Sequence, residues 1–589
     1  MKQHIAIGGA SGFWGDSFTA VPQLLRDGQL DYLVFDYLAE VTMSILARAR
    51  AENPQLGYAT DFVTEVMRQN LGEIARQRVK VISNAGGMNP LGCAEAIRKL
   101  IAATGLDLKV AAVVGDDLLD RAAEFGAAKE MFSGDALPAQ PMSINAYCGA
   151  FPIAEALRRG ADIVITGRVV DSAVVLGACI YEFDWAADDF DKLAGGSLAG
   201  HILECGAQGS GGLFTDWKEV PDWDNIAYPI AEVRPDATFI VRKPNGTGGL
   251  VSRGSVAEQL VYEIGDPGRY LLPDVTCDFT QVRMEEVGDN RVRVSGCKGY
   301  APGGDLKVSA TWSDGHRLTF MLSIVGIEAD GKARKTAEAV FKRCARMFQE
   351  RGLEPFTETH FEILGAEASY GANARPGPWR EVVLMLAAKH PNPKALALLL
   401  REATSTGTSM SPGTTGIGGH RPKPMPQVRL FSFLLPKAQV IPRVLLEDAT
   451  VDVPFESFAQ PTPPRAGSEF PRAQETNDMV DVPLVRLAWG RSGDKGNKAN
   501  IGILARKREY LPYIAATLTA VAVKRYFQHH VRGEVERFAL PGLDGMNFLM
   551  HDALAGGGTA SLRIDPLAKA YAQMLLDHPI RMPKSLLSN

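Results

Sequence analysis

The stretch HIAIGGASGFWGDSFTAVPQLL, residues 4–25, decides the fold. A short apolar run is followed by Gly8, Gly9, Ser11, Gly12, Gly15 and Asp16, and then by apolar residues at helical spacing. This is a strand, a glycine-rich turn and a helix, the first half of a β–α unit. The same order recurs down the chain. Short β-rich runs at 32–36, 79–83, 109–114, 142–146 and 162–166 alternate with longer amphipathic stretches such as NPLGCAEAIRKLIAATG and FPIAEALRRGA. Near-continuous apolar strands separated by helices predict an α/β fold whose parallel sheet is covered on both faces. We prefer an open doubly wound sheet to a barrel, because the pattern changes after six strand candidates.

From about residue 230 a period of two takes over. NRVRVSGCKG and DLKVSATWSDGHRLTFMLSIVG read as strands, the second with a hairpin turn at Asp314-Gly315, and ARKTAEAVFKRCARMFQERG reads as a helix. The expected organisation is a parallel-sheet α/β domain at 1–230 and a mixed α+β domain at 231–455. The polar, Pro-rich segment 456–481 is a linker. A compact α+β domain at 482–589 follows, with strand VPLVRLAW, loop GRSGDKGNKA, strand NIGILA and a helix through ATLTAVAVKRYF.

The 589 residues exceed what one ordinary core holds, and 46% hydrophobic with 22% charged residues is a globular composition. A net charge of −5 over this length argues against a nucleic-acid partner. Neither a secretory pattern nor an unbroken apolar span is present, so we expect a cytoplasmic protein with no membrane partner. Seven scattered cysteines without a CxxC pair read as reduced thiols.

Familiar motifs are excluded first. The opening turn is neither GxGxxG nor a P-loop, and no Tyr-x-x-x-Lys accompanies the dehydrogenase-like VISNAGG. HExxH, strict GxSxG and EF-hand loops do not occur. Among ten histidines only His529 and His530 are adjacent, and in a strand or helix they would point apart, so no metal site is expected.

What remains is a rim of polar residues at predicted strand ends: Ser11 and Asp16, Asp36 and Glu40, Ser83 and Asn84, Asp116 and Asp117, Asn145, then Thr166, Arg168 and Asp171. Each reads singly as a helix cap; together they mark the edge where parallel sheets bind ligands. Asp16, Glu40 and Asp117 are candidate general bases, with Asn84 beside them. In GHILECGAQGSGGLFTDW, helical spacing would put His201 and Glu204 on one face as an acid–base pair, or as a plain solvated pair. Glycine turns before helices favour anions, so Gly8, Gly9, Ser11 and Gly12 are expected to hold one. Arg168, and the loops carrying Arg253, Arg421, Arg491 and Lys495, are expected to hold the anionic parts of a ligand.

The blocks GGASGFWGDS, YLVFDYLAE, SNAGGMNP, TGRVVDSA, GHILECGAQ and LVSRG resemble the acyclic terpene utilisation (AtuA-like) family. VRLAWGRSGDKGNKANIGILAR resembles the small ferredoxin-like domain that closes those proteins. The resemblance implies a role in branched-chain acyl-CoA breakdown of the citronellol and geraniol type. On that footing we expect a hydratase or C–C lyase acting on a 3-methyl-branched enoyl-CoA or 3-hydroxyacyl-CoA. Carboxylate acid–base chemistry without a metal would serve it, with coenzyme A as part of the substrate and no tightly bound cofactor. The alternative is a non-catalytic scaffold or partner subunit of an acyl-CoA carboxylase pathway. The hairpins and the small terminal domain lead us to expect a homo-oligomer.

Overall fold

The computed structural model describes residues 2–26, 29–416, 422–459 and 464–587, without the side chain of Glu40. The six apolar runs are strands: β1 (Ile5–Gly9), β2 (Tyr32–Phe35), β3 (Lys80–Ser83), β4 (Val110–Val114), β5 (Ser143–Ala146) and β6 (Ile163–Thr166). Five lie parallel in the order β1-β2-β3-β6-β4. Helices α1 (Ala20–Arg26), α2 (Glu40–Glu52), α3 (Arg68–Gln77) and α4 (Pro90–Thr104) bury Leu24, Leu46, Leu71 and Ile97 in one core. On the other face α5 (Phe151–Arg158), α6 (Ala173–Phe183) and α7 (Phe190–Leu203) bury Ile153, Val175 and Leu198 in a second. The sheet is open and doubly wound.

Local chemistry sets the helix limits. The Asn89 side chain accepts from Gly92 N (2.9 Å), Pro90 opens α4, and Gly105 closes it at φ 67°. Because α4 follows β3 on one face and α6 follows β6 on the other, the adjacent ends of β3 and β6 form a topological switch point. In open α/β sheets the carboxyl edge at such a point is where ligands bind.

Several expectations need correction. Strand β5 leaves the parallel sheet and pairs antiparallel with Asp305–Val325, since an apolar run specifies burial but not a partner. Antiparallel strands at 230–233, 239–242, 291–295 and 283–288 on one side, and at 443–446 and 449–452 on the other, widen the sheet to eleven. It thus runs across the expected boundary at residue 230. Asp314-Gly315 is not a hairpin but an irregularity in one 21-residue strand, where pairing with Met425–Pro436 shifts register between Ser313 and His316. From His316 the strand pairs with Glu381–His390, and Gly315, at φ 77°, packs against Pro391.

In the last domain Ala488–Lys495, Lys498–Ala505, Gly545–Met550 and Val535–Leu540 form an antiparallel sheet in that order. The expected loop 490–499 is therefore mostly strand, turning only at Gly496-Asn497, with Gly496 at φ 62°.

This sheet docks on α8 (Arg253–Leu260), and two buried asparagines make the joint. Asn500 Nδ2 donates to Val261 O (2.7 Å) and to Asn547 Oδ1 (2.9 Å), while its Oδ1 accepts from Glu263 N (3.0 Å). Asn547 Nδ2 donates to Ile264 O and Gly265 O. They serve backbone groups of residues 261–265, the segment that follows α8. Gly502 permits the approach, since a Cβ there would lie 2.3 Å from Val261 Cβ. Arg506 forks onto Asp216 (2.5 and 2.6 Å), which also accepts from Trp489 Nε1 (2.7 Å). Among the described residues, no helix is long and apolar enough to cross a membrane.

Candidate functional site

Docking carries the end of the hairpin's first strand, Asp494-Lys495, toward the carboxyl ends of the parallel strands. Lys495 is hemmed in by both domains yet keeps an exposed side chain, so it stands in an open cleft. Burial works against its ammonium, but Tyr270, Glu263, Asp171 and Glu204 outweigh it and hold the pKa well up. Among the described residues, Lys495 Nζ makes no hydrogen bond or ion pair. Hydrogen bonds and ion pairs support the turn beside it. Asn497 bonds to Asp552, Leu554 N and Gly556 N, and Lys569 bridges Asp494 (3.4 Å) and Glu263 (2.9 Å).

Facing it is the end of α7. The i, i+3 spacing brings His201 Nδ1 to 2.8 Å from Glu204 Oε1, and His201 Nε2 donates to Leu260 O at 3.0 Å. Because a carbonyl only accepts, Nε2 carries a proton, and the pair shares a second one between Nδ1 and Oε1. Burial lifts the Glu204 carboxyl, with His201 opposing it; burial lowers His201, but Glu204 more than restores it. Glu204 Oε2 is buried and accepts no hydrogen bond. A carboxyl so placed can take or give a proton at Oε2 while His201 balances its charge.

Around this pair lie Asp36, Asp171, Arg168 and Tyr270. Burial, then the charge of Asp171, raises Asp36, while Arg168 and Asn84 pull it down. Arg168 donates to Asp171 Oδ1 (2.7 Å) and lies over the Tyr147 ring at 4.2 Å. Asn84 bridges β2 and β3, with Oδ1 accepting from Tyr37 N (2.8 Å) and Nδ2 donating to Asp36.

Other expected residues are placed elsewhere. The anion at the opening turn is the chain's own. Asp16 accepts from Gly12 N (2.8 Å) and from the Tyr228 hydroxyl (2.5 Å), so it orders the turn instead of facing the cleft as a free base. Gly8 and Gly9 belong to β1, and Gly9 N donates to Pro229 O (3.0 Å), while Ser11 Oγ donates to Asp36 O (2.9 Å). The glycines are needed for packing: a Cβ on Gly9 would lie 2.8 Å from Leu203 O, and one on Gly12 only 2.6 Å from the Cys205 carbonyl carbon. They therefore do not form an open phosphate cradle.

Asp117 pairs with Arg50 (2.6 Å). Arg253 reaches Leu543 O and Asp544, and Arg491 donates to Leu213 O (2.9 Å) and Gln208, so both arginines fasten the domains together. Glu40 begins α2, but its side chain lies outside the described residues, as does Arg421. His529 and His530 do not point apart: they sit in a turn, their rings 4.1 Å apart, each Nε2 donating to Ser369 O.

Tyr270, Glu263 and Lys569 escaped the sequence reading, since they lie in no motif and come together only on folding. A concavity of about 440 Å³ beside Ala473, Tyr513 and Arg581 contains none of the converging groups. Among the described residues, the three-ligand cluster with metal-binding spacing is Glu534, Glu536 and His551, outside the cleft. Glu536 there is already paired with Arg465.

The family description "Acyclic terpene utilisation family protein AtuA" matches residues 5–446, and "AtuA ferredoxin-like domain" matches 482–581. No curated protein and no solved structure matches the chain. The chain belongs to the acyclic terpene utilisation family AtuA and ends in that family's ferredoxin-like domain.

Proposed function

We propose that this member of the acyclic terpene utilisation family is an acyl-CoA hydratase or C–C lyase whose acid–base step takes place in the interdomain cleft. The supporting observation is the opposition of an unpaired ammonium, Lys495, to the unpartnered oxygen of Glu204. Hydration of a 3-methyl-branched enoyl-CoA and cleavage of its 3-hydroxy product share one demand, because both develop an enolate at the thioester oxygen. Lys495 meets that charge, and Glu204, backed by His201, handles the proton. Coenzyme A enters as part of the substrate. We place the reaction in the cytoplasm and assign the protein as a homo-oligomer, which light scattering tests.

The test uses mass spectrometry of the purified protein with a 3-methylglutaconyl-type CoA ester and, separately, its 3-hydroxy product. Water added to the first identifies a hydratase; acetate or acetyl-CoA released from the second identifies a lyase. Lys495→Met is expected to lower either rate by about 10²-fold or more. A wild-type protein that converts and binds neither ester returns the function to a non-catalytic partner subunit.

A further inference from the structure

Tyr270 stands in the same cleft, on the two-residue strand Tyr270–Leu271 that pairs with Thr276–Asp278. Its ring lies 5.4 Å from that of His201 and 5.2 Å from that of Phe279, so packing fixes its position. The hydroxyl is a separate matter. Among the described residues it makes no hydrogen bond, although phenylalanine would fill the same space. Burial, then the charge of Glu204, keeps the phenol protonated, with Lys495 as the opposing charge. The cleft therefore holds two donors without acceptors, a phenol O–H from the strand Tyr270–Leu271 and an ammonium from the last domain.

We propose that Tyr270 and Lys495 form a two-donor clamp for one oxyanion, the enolate oxygen of an acyl thioester or similar carbonyl compound bearing an acidic α-hydrogen. This rests on the cleft being the acid–base site. The α-proton passes to Glu204 Oε2, and the electron pair of the broken C–H bond moves through the new C=C bond onto the carbonyl oxygen. The clamp donates two hydrogen bonds to that oxygen, and reprotonation reverses the step with no atom lost. The two donors complement each other: the ammonium supplies charge, and the phenol supplies direction on a ring that cannot swing. The clamp is complete only when the last domain is docked, so catalysis would depend on the joint between domains.

The test follows exchange of the α-hydrogens of 3-hydroxy-3-methylbutyryl-CoA in deuterium oxide by NMR, for wild type, Tyr270→Phe and Lys495→Met. Tyr270→Phe keeps both ring contacts. It is expected to slow exchange and kcat by about 10²–10³-fold, the usual cost of one oxyanion donor, with KM changed less than about threefold. Its thermal midpoint should match wild type, whereas Tyr270→Leu should lower it, separating the ring's role from the hydroxyl's. Unchanged exchange in Tyr270→Phe, alongside a defective Lys495→Met, overturns the clamp and leaves the site reading intact. No exchange by wild type overturns the clamp and the hydratase form of the site reading, since lyase cleavage takes its proton from the 3-hydroxyl. Normal exchange by Lys495→Met overturns the site reading and the clamp together.

Discussion

Replacing Asn500 with leucine tests the joint that carries Lys495 into the cleft. Leucine has a similar size but no polar atoms, and the site is 2% exposed. The change leaves Val261 O, Glu263 N and Asn547 Oδ1 each short of a bond of 2.7–3.0 Å. At a net cost of about 1 kcal/mol per bond, docking loses about 3 kcal/mol, roughly a 150-fold rise in the open state. Hydrogen exchange read by mass spectrometry reports this directly, because Glu263 N is one of the groups released. Exchange across 261–265 should accelerate by about two orders of magnitude, while the buried strands β1 and β2 keep their protection. Acceleration of less than about twofold would refute the claim that this asparagine pair holds the domains.

Glu258 on α8 supplies a pH test. Burial pushes its carboxyl up to about 7, with Thr215 and Arg491 opposing only in part. A folded-state pKa above the unfolded one gives stability that is complete below about pH 4.5 and lost as pH rises through 7. Glu258→Gln should remove that loss, gaining on wild type by on the order of 2 kcal/mol between pH 5 and 8 in thermal melts. Gly12→Val should drive its Cβ into the backbone of Cys205 and cost about 1–3 kcal/mol, shifting Glu204 as well. Gly15→Ala is its control: at φ 98° with nothing within 4 Å it should cost about 1 kcal/mol, by calorimetry, and leave the cleft in place.

Strand and helix patterning was enough to predict the doubly wound class. Burial on both faces writes a nearly unbroken apolar run into each parallel strand, and that signal is local. It also determined the contact between His201 and Glu204, because one helical turn fixes the distance between residues three apart. Partners were beyond it. MSINA and the Asp314-Gly315 stretch show strand character in their own residues, but the neighbour each takes depends on segments more than a hundred residues away. The opening glycines show the same limit: composition announces a close approach, and only the folded chain shows that Leu203 and Cys205 make it. The cleft depended most on tertiary structure. Lys495 lies about three hundred residues from Glu204 and meets it because Asn500 and Asn547 complete the hydrogen bonds at the end of α8. Long-range electrostatics and helix-end pairing leave no periodicity in a sequence, so that meeting was decided by the tertiary structure alone.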